Sequence, residues 1–406
     1  MKSTCDILIV GGGASGLFAA ITAAETAPYK RIIVLERDSR VAKKLLTTGN
    51  GRCNFTNGNG LCGHYTGDVS FAETAFAQFG VDETCRVMAR LGIPFVELED
   101  GKRYPRSLQA SSVVDMLRYA AVDAGVEIVT EASVTNLQGN APFIITTDRG
   151  IYEASQVMIA TGGKSCVGNF EGVTGYDLLQ KMGHSITKLT PAIVQLTTEK
   201  EPIKPLAGIK VEGAVTACCG NESRTETGEI LFTEYGISGP PVLQVSGLIA
   251  RYGKGLVNLD LIPDLTVKEI ETELHRRRVA FGTRTCEDLL TGFVNKRLGQ
   301  TLLKLAGVEK LSRSVERLTT KEIKTVANLI KNFSLNVTGT KGWNAAQVTC
   351  GGIRTVDFNP KTMESNLHKG LFAAGEVLNV TGDCGGFNLQ WAWTSGYLAG
   401  IAMGEA

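Results

Sequence analysis

Residues 7–36 constrain the fold more than any other stretch. Asp6-Ile7-Leu8-Ile9-Val10 reads as a buried strand and Gly11-Gly12-Gly13-Ala14-Ser15-Gly16 as a glycine turn. Leu17 to about Thr26 reads as a helix, and Arg31-Ile32-Ile33-Val34-Leu35-Glu36 as a second strand. Gly11, Gly13 and Gly16 fit G-x-G-x-x-G. The first permits a tight turn, the second lets backbone approach a pyrophosphate, and the third lets helix pack close on strand. The free N–H groups at the helix start then face the phosphates. Glu36 follows twenty residues after Gly16, where a carboxylate accepts hydrogen bonds from an adenosine ribose. These pieces together predict a dinucleotide site in an α/β fold with a Rossmann-like sheet.

The span Ile7–Ala24 carries no charged residue. Three consecutive glycines interrupt it, and no basic leader or small-residue cleavage pattern frames it. It divides into strand and helix rather than a membrane segment. A net charge of +1 gives no global field toward nucleic acid or membrane. None of the ten cysteines forms C-x-x-C, and only four histidines accompany them, so no zinc spacing is present. Free thiols in a reducing, cytoplasmic compartment are expected. No feature addresses oligomeric state.

Further along, Lys43 to Asn57 is dense in Gly, Asn and Thr, with Lys44 and Arg52 supplying positive charge directly after the ribose-binding strand. Two helices split by Gly80, a hairpin over 93–106 and an amphipathic helix Ser111–Ala124 follow. Val126–Val129 returns to the parallel sheet. Val134–Leu137, Phe143–Thr147 and Ile151-Tyr152 form a meander. Val157–Ala160 is a separate buried strand ending in Thr161-Gly162-Gly163, where ligands of open α/β sheets lie. The texture changes near residues 191, 263 and 340. An all-β stretch begins with Ile193–Leu196. Pro263 opens a helical one, with helices expected over Val267–Val279, Glu287–Lys296, Leu298–Ala306 and Lys321–Lys331. His275-Arg276-Arg277-Arg278 is a basic cluster read as a solvated helix face, with phosphate or RNA contact as the alternative. The tail carries Gly375-Glu376 after a strand, then Gly385-Gly386-Phe387-Asn388 before a helix from Trp391 to about Met403.

The chain resembles the flavoproteins of the YhiN/BaiN-like group, also called the aminoacetone oxidase family. The carriers are Gly11–Gly16, the string Gly49-Asn50-Gly51-Arg52-Cys53-Asn54-Phe55-Thr56-Asn57, Ala160-Thr161-Gly162-Gly163-Lys164-Ser165, Gly228–Thr233 with Gly236–Pro240, Gly375-Glu376 and Gly385–Asn388. The resemblance implies an FAD-binding domain over 1–190 and 341–406, interrupted by a β-barrel-like insert (191–262 and 332–340) that itself carries a helical insert (263–331). It also implies FAD contacts from Gly11, Gly13, Ala14, Ser15, Gly16, Glu36, Arg37, Lys44, Gly49, Asn50, Arg52, Cys53, Asn54, Thr161, Gly162, Gly163, Gly375, Glu376, Gly386, Phe387 and Asn388. The C-terminal helix would point its positive end at the charge a reduced flavin develops. The family usually follows G-G-x-S with Tyr-Pro, where this chain has Cys166-Val167.

Two activities are known in the family: reduction of conjugated C=C bonds in 3-oxo bile-acid intermediates, and oxidation of aminoacetone with O₂. The leads Asp383–Gly386 and Gln390–Trp393 resemble the reductase branch. The expectation is an FAD-dependent ene-reductase that passes a hydride through the flavin to a conjugated C=C of an apolar, 3-oxo steroid or bile-acid-like small-molecule substrate, with NAD(P)H as electron donor. No second G-x-G-x-x-G unit of Rossmann form, between a strand and a helix, appears for NAD(P)H, so it would dock directly against the flavin. An amine oxidase is the alternative, and a flavin-containing RNA-binding protein a distant third. Arg52, Asn54, Tyr104, Arg106 and Tyr235 are the candidates to polarise a substrate carbonyl. No metal, membrane or nucleic-acid partner is expected.

Overall fold

A computed structural model describes residues 2–165 and 171–406. Cys166 and Val167, the departure from the family pattern, lie outside the described residues. The chain forms two compact units, one running to Leu189 and resuming at Val348–Ala406, the other Thr190–Gln347.

The first unit is built on a sheet of β1 (Lys2–Val10), β2 (Ile32–Leu35), β3 (Glu127–Val129), β4 (Val134–Gly139), β5 (Phe143–Thr147), β6 (Gly150–Ile159) and β7 (Leu371–Ala373). The order is β3-β2-β1-β6-β5-β4, with β7 also on β6. β1 pairs in parallel with both β2 and β6. Ile7–Ile9 and Ile32–Leu35 are buried, as expected where both faces of a parallel sheet are covered.

The sequence divides residues 150–160 into two strands, but β6 is one ten-residue strand. Its first half pairs antiparallel with β5 and its end pairs in parallel with β7. Its polar middle residues, Glu153 to Gln156, hide this continuity because partners on both sides supply the ladder.

Helix α1 (Ala14–Thr26) packs against the C-terminal helix, Phe387–Glu405. Gly396, Gly400 and Gly404 form the seam. A Cβ at Gly396 would stand 2.5 Å from the Ser15 carbonyl oxygen, and one at Gly400 would stand 2.7 Å from that of Ala19. The matched order Ser15–Gly396 and Ala19–Gly400 makes the helices parallel. At about 1.5 Å per residue, the C-terminal helix therefore starts roughly 12 Å beyond the start of α1. Both N-termini thus point the same way, staggered along one line.

The second unit contains a closed six-stranded barrel, in the order Leu196–Thr198, Gly236–Ser238, Glu222–Phe232, Lys210–Cys219, Gly255–Asp260 and Phe333–Thr340. Phe333, Leu335 and Val337 face inward while Ser334, Asn336 and Thr338 are exposed, the alternation of a strand with one wet face. Two sequence expectations fail here. The stretch is not all β, because Pro240–Tyr252 is a helix. Pro at its start and Gly253 in the left-handed conformation after its end are the signals that mark it. The strand expected at Ile193–Leu196 is instead two short strands, Thr190–Ala192 and Leu196–Thr198. Ile193 between them has φ +50°, which no strand accommodates.

The helical part comprises Val267–Ala280, Lys296–Leu305 and Thr320–Lys331. The helix expected over Glu287–Lys296 does not form. A 3₁₀ turn at Cys286–Asp288 stands there, and the Asn295 side chain caps the helix that starts at Lys296. The basic cluster is not a uniformly solvated face. Arg277 is buried, pairing with Glu273 at 2.7 Å and donating to the Leu289 and Thr291 carbonyls at 3.1 and 2.9 Å. Arg276 pairs with the same Glu273, and Arg278 donates to the Leu318 carbonyl at 3.0 Å.

His184 gives the first unit an acid-sensitive point. Its side chain is buried, stacks on Phe358 with centroids 4.4 Å apart and places Nε2 3.0 Å from Ser365 Oγ. Burial pushes the imidazole down to about 4 from an ordinary 6.5. The unfolded chain therefore takes up this proton first on acidification. The stability this site contributes is full above about pH 6.5 and declines as pH falls toward 4. Urea midpoints should show that decline in the wild type and a shallower one in His184→Gln. An equal slope in both would refute the assignment.

Candidate functional site

The β1–α1 turn is shaped by contacts that only glycine allows. Gly11 has φ +109°, and a Cβ there would stand 2.4 Å from the Ala160 carbonyl oxygen. A Cβ on Gly16 would stand 1.9 Å from the carbonyl oxygen of Gly11. Around Gly13 nothing lies within 4 Å of the Cβ position, so its outer side is open. Helix α1 has no side-chain cap and no acid in its first turn, so the N–H groups of Ala14, Ser15 and Gly16 are available to an anion. Glu36 accepts from Gly12 N at 3.0 Å and Asp38 N at 2.9 Å. It thus braces the turn in addition to standing where a ribose would lie. Burial raises its carboxyl from the ordinary value. Arg37 beside it is half-buried.

The Lys43–Gly51 segment is a run of 3₁₀ turns broken by Thr48, Gly49 (φ +56°) and Asn50 (φ +55°). Asn50 and Arg52 are exposed, while Cys53 and Asn54 are buried. Arg52 places its guanidinium 4.9 Å from the centre of the Tyr104 ring, bringing two candidates together. Burial pushes the Cys53 thiol up to about 12, so it is no thiolate nucleophile and only its backbone can face a ligand. Arg106 is exposed with its N–H on the Pro94 carbonyl. Tyr235 belongs to the second unit, where Lys341 sits 4.5 Å above its ring.

Lys44 links this segment to the tail. Its Nζ reaches Glu376 Oε2 at 2.6 Å and Ser165 Oγ at 2.9 Å. Glu376 Oε1 accepts from Ser165 Oγ at 3.1 Å and from Thr349 N at 2.7 Å. Gly163 is required here, since a Cβ would stand 2.5 Å from both Glu376 Oε1 and Thr349 Oγ1. Gly162 has φ +71° and Gly375 φ +76°. Gly375 N donates to Ser395 Oγ at 2.9 Å. Sequence reasoning missed Thr349, Ser165 and Ser395, whose partners lie far away along the chain.

The C-terminal helix begins at Phe387, four residues before the expected Trp391, because Gly386 (φ +102°) turns the chain directly into it. Asn388 therefore lies in the first turn. Its amide brackets the preceding loop, accepting from Gly382 N at 2.9 Å and donating to Gly382 O at 2.7 Å. A Cβ on Gly386 would stand 2.6 Å from the Thr56 carbonyl and 3.0 Å from Asn54 Oδ1, so the Gly49–Asn57 segment lies against this helix start. Asn54 Oδ1 and Thr161 Oγ1 are buried without hydrogen-bond partners. Buried polar atoms are rarely left unpaired. Two such atoms, one in each loop expected to face FAD, together with the open side of Gly13, fit a bound dinucleotide.

A family model described as the HI0933-like protein Rossmann domain matches residues 5–402. The chain belongs to the HI0933-like family. This HI0933-like protein is 38% identical over 404 residues to the 3-dehydro-bile acid delta(4,6)-reductase of Clostridium scindens, covering 98% of each chain. It is 28% identical over 411 residues to the ribosomal RNA dihydrouridine synthase of Haemophilus influenzae, and 29% identical over 398 residues to that of Escherichia coli. The former alignment covers 99% of each chain, and the latter 97% of this chain and 96% of the relative. Among solved structures, the 3-ketosteroid delta1-dehydrogenase of Sterolibacterium denitrificans superposes with a TM-score of 0.52 at 12% identity. The superposition covers 99% of this chain and 100% of that one, showing a shared fold. The HI0933-like protein is a flavoprotein of the FAD-dependent oxidoreductase type. Among the described residues, no helix is long and apolar enough to cross a membrane.

Proposed function

We propose that the protein uses FAD to reduce a carbon–carbon double bond conjugated to a ketone in a 3-oxo steroid of bile-acid type, with NAD(P)H supplying the electrons. The observation that carries this reading is the end-to-end identity of 38% with the bile acid reductase. Bound FAD supplies the hydride. Gly11, Gly13 and the first turn of α1 would take the pyrophosphate, and Glu36 with Arg37 the adenosine end. Lys44, Glu376, Gly375 and Thr161–Gly163 would hold the middle of the cofactor. Gly49, Asn50, Arg52, Asn54, the Cys53 backbone and Gly386–Asn388 would surround the ring. The stagger of the two helix N-termini suits this order, placing one dipole for the phosphates and a second for negative charge at the ring. Arg52, held over Tyr104, would polarise the substrate carbonyl; one such donor is typically worth ~3 kcal/mol in the transition state.

A second reading, uridine reduction in ribosomal RNA, is favoured by the two dihydrouridine synthases. Dihydrouridine formation also reduces a C=C conjugated to a carbonyl, so the two readings share their chemistry and differ in what the protein binds. The basic cluster does not support the RNA reading, because Arg276 and Arg277 are paired with Glu273 and Arg278 holds a carbonyl within the same unit. No observation favours the amine-oxidase alternative. The test is anaerobic: reduce the holoprotein, then add a 3-oxo-4-ene steroid or unmodified ribosomal RNA and follow flavin absorbance. Stoichiometric reoxidation by the steroid is expected. Reoxidation by RNA alone would establish the second reading, and rapid peroxide formation from aminoacetone in air without either would establish the third.

A further inference from the structure

We propose that His64, oriented by Asp383, is the proton donor to the substrate α-carbon. The assignment rests on the ene-reductase reading and names a residue of the same site.

Register places it. Strand Tyr65–Gly67 pairs antiparallel with Val380–Gly382, and Asp383 N donates to the His64 carbonyl at 2.9 Å. His64 thus lies against the loop that leads into the C-terminal helix, the element that would face the reacting ring. The imidazole is held on two sides. Nδ1 stands 3.2 Å from Asp383 Oδ2, and the ring stacks on Phe387, the first helical residue, with centroids 4.1 Å apart and planes 16° from parallel. Asp383 is itself held by its loop, whose carbonyl accepts from Asn388 Nδ2 at 3.2 Å.

The pair is asymmetric in exposure. The His64 side chain is 37% exposed and that of Asp383 is 10%. Nε2, the far nitrogen, hydrogen-bonds to no described residue. A sheltered carboxylate on one ring nitrogen and an open second nitrogen form a fixed proton carrier. Other histidines differ. His184 is buried, and His368 uses both nitrogens, on Asn140 Oδ1 and the Met182 carbonyl, each at 2.8 Å. His275 belongs to the second unit. Titratable groups near the pair are Tyr65, next to His64 in the chain, and Cys384, next to Asp383; Lys102, which pairs with Asp100 at 2.9 Å, acts on Cys384. Burial pushes the Tyr65 hydroxyl and the Cys384 thiol upward, which favours their neutral, protonated forms.

The step balances. Bound, reduced FAD would supply the hydride pair for the new C–H bond at the β-carbon. The π pair of the double bond takes the proton from Nε2 of imidazolium at the α-carbon. The cofactor would be left oxidised by the loss of that hydride, and neutral His64 regains its proton from water.

The experiment uses holoprotein reduced under anaerobic conditions and mixed with a 3-oxo-4-ene steroid across a pH series. His64→Gln should slow flavin reoxidation about a hundredfold or more, the contribution of one positioned general acid, while its flavin spectrum and its rate of chemical reduction stay unchanged. In wild type the rate should fall as pH rises, because only the protonated imidazole can donate. Asp383→Asn, lacking the carboxylate that orients the imidazole, should also slow reoxidation, and His64→Gln should abolish the pH dependence. Added imidazole should restore rate to His64→Gly, a readout that a purely structural role would not move. An active wild type with an indifferent His64→Gln variant and an unchanged pH profile overturns the assignment alone. A wild type inert toward the steroid overturns the underlying reading, and this assignment with it.

Discussion

Gly16→Ala is expected to purify colourless and to unfold at markedly lower denaturant than the wild type. The added Cβ would stand 1.9 Å from the Gly11 carbonyl oxygen, and neither backbone can yield cheaply. Gly11 is held from the other side, with its own Cβ position 2.4 Å from the Ala160 carbonyl and its N–H on the Leu35 carbonyl at 2.8 Å. Overpacking a core commonly costs about 1–3 kcal/mol, and a clash between two backbones belongs at or above the top of that range. Relief requires separating α1 from β1, which also removes the N–H groups that would hold the pyrophosphate. Gly13→Ala is the control. Nothing lies within 4 Å of its Cβ position, so the fold should survive while FAD retention falls. A yellow Gly16→Ala protein of unchanged stability would remove the premise.

Trp393→Ala is expected to cost about 3–5 kcal/mol, the usual range for deleting a buried Trp. Trp393 is fully buried, packs on Phe18 with centroids 5.3 Å apart and donates from Nε1 to the Phe55 carbonyl at 2.9 Å. That bond ties the C-terminal helix to the Gly49–Asn57 segment. Trp393→Phe keeps most of the volume but leaves the Phe55 carbonyl without its donor, a loss of about 1–3 kcal/mol. FAD affinity and urea midpoint should therefore separate in the two variants. The Phe variant should lose cofactor affinity out of proportion to its stability, because Asn54 and Phe55 are adjacent. Equal loss of both properties in the Phe variant would mean that the indole N–H does not position the segment.

Much of the first unit was legible because its signals are local. The G-x-G-x-x-G turn, the apolar β1 and β2, the helices split by Gly80 and the hairpin at 93–106 follow from glycine placement and apolar runs within a few residues. The Pro240–Tyr252 helix was missed although Pro and Gly mark its ends, because the strand-like runs around it set the reading. The failed helix over Glu287–Lys296 shows the reverse error, a helical texture overruled by the Asn295 cap.

At the site, the sequence by itself determined the glycines, since a close backbone approach demands glycine wherever it occurs; the two helices start earlier than their apolar runs suggest, at Ala14 and Phe387 rather than Leu17 and Trp391. Tertiary structure decided the pairings. Lys44 meets Glu376 across 332 residues, and His64 meets Asp383 across 319. Arg277 is buried although its neighbours in sequence are all charged or polar. Such contacts depend on which strand pairs with which and on the stagger of two parallel helices, and no short window of residues encodes either.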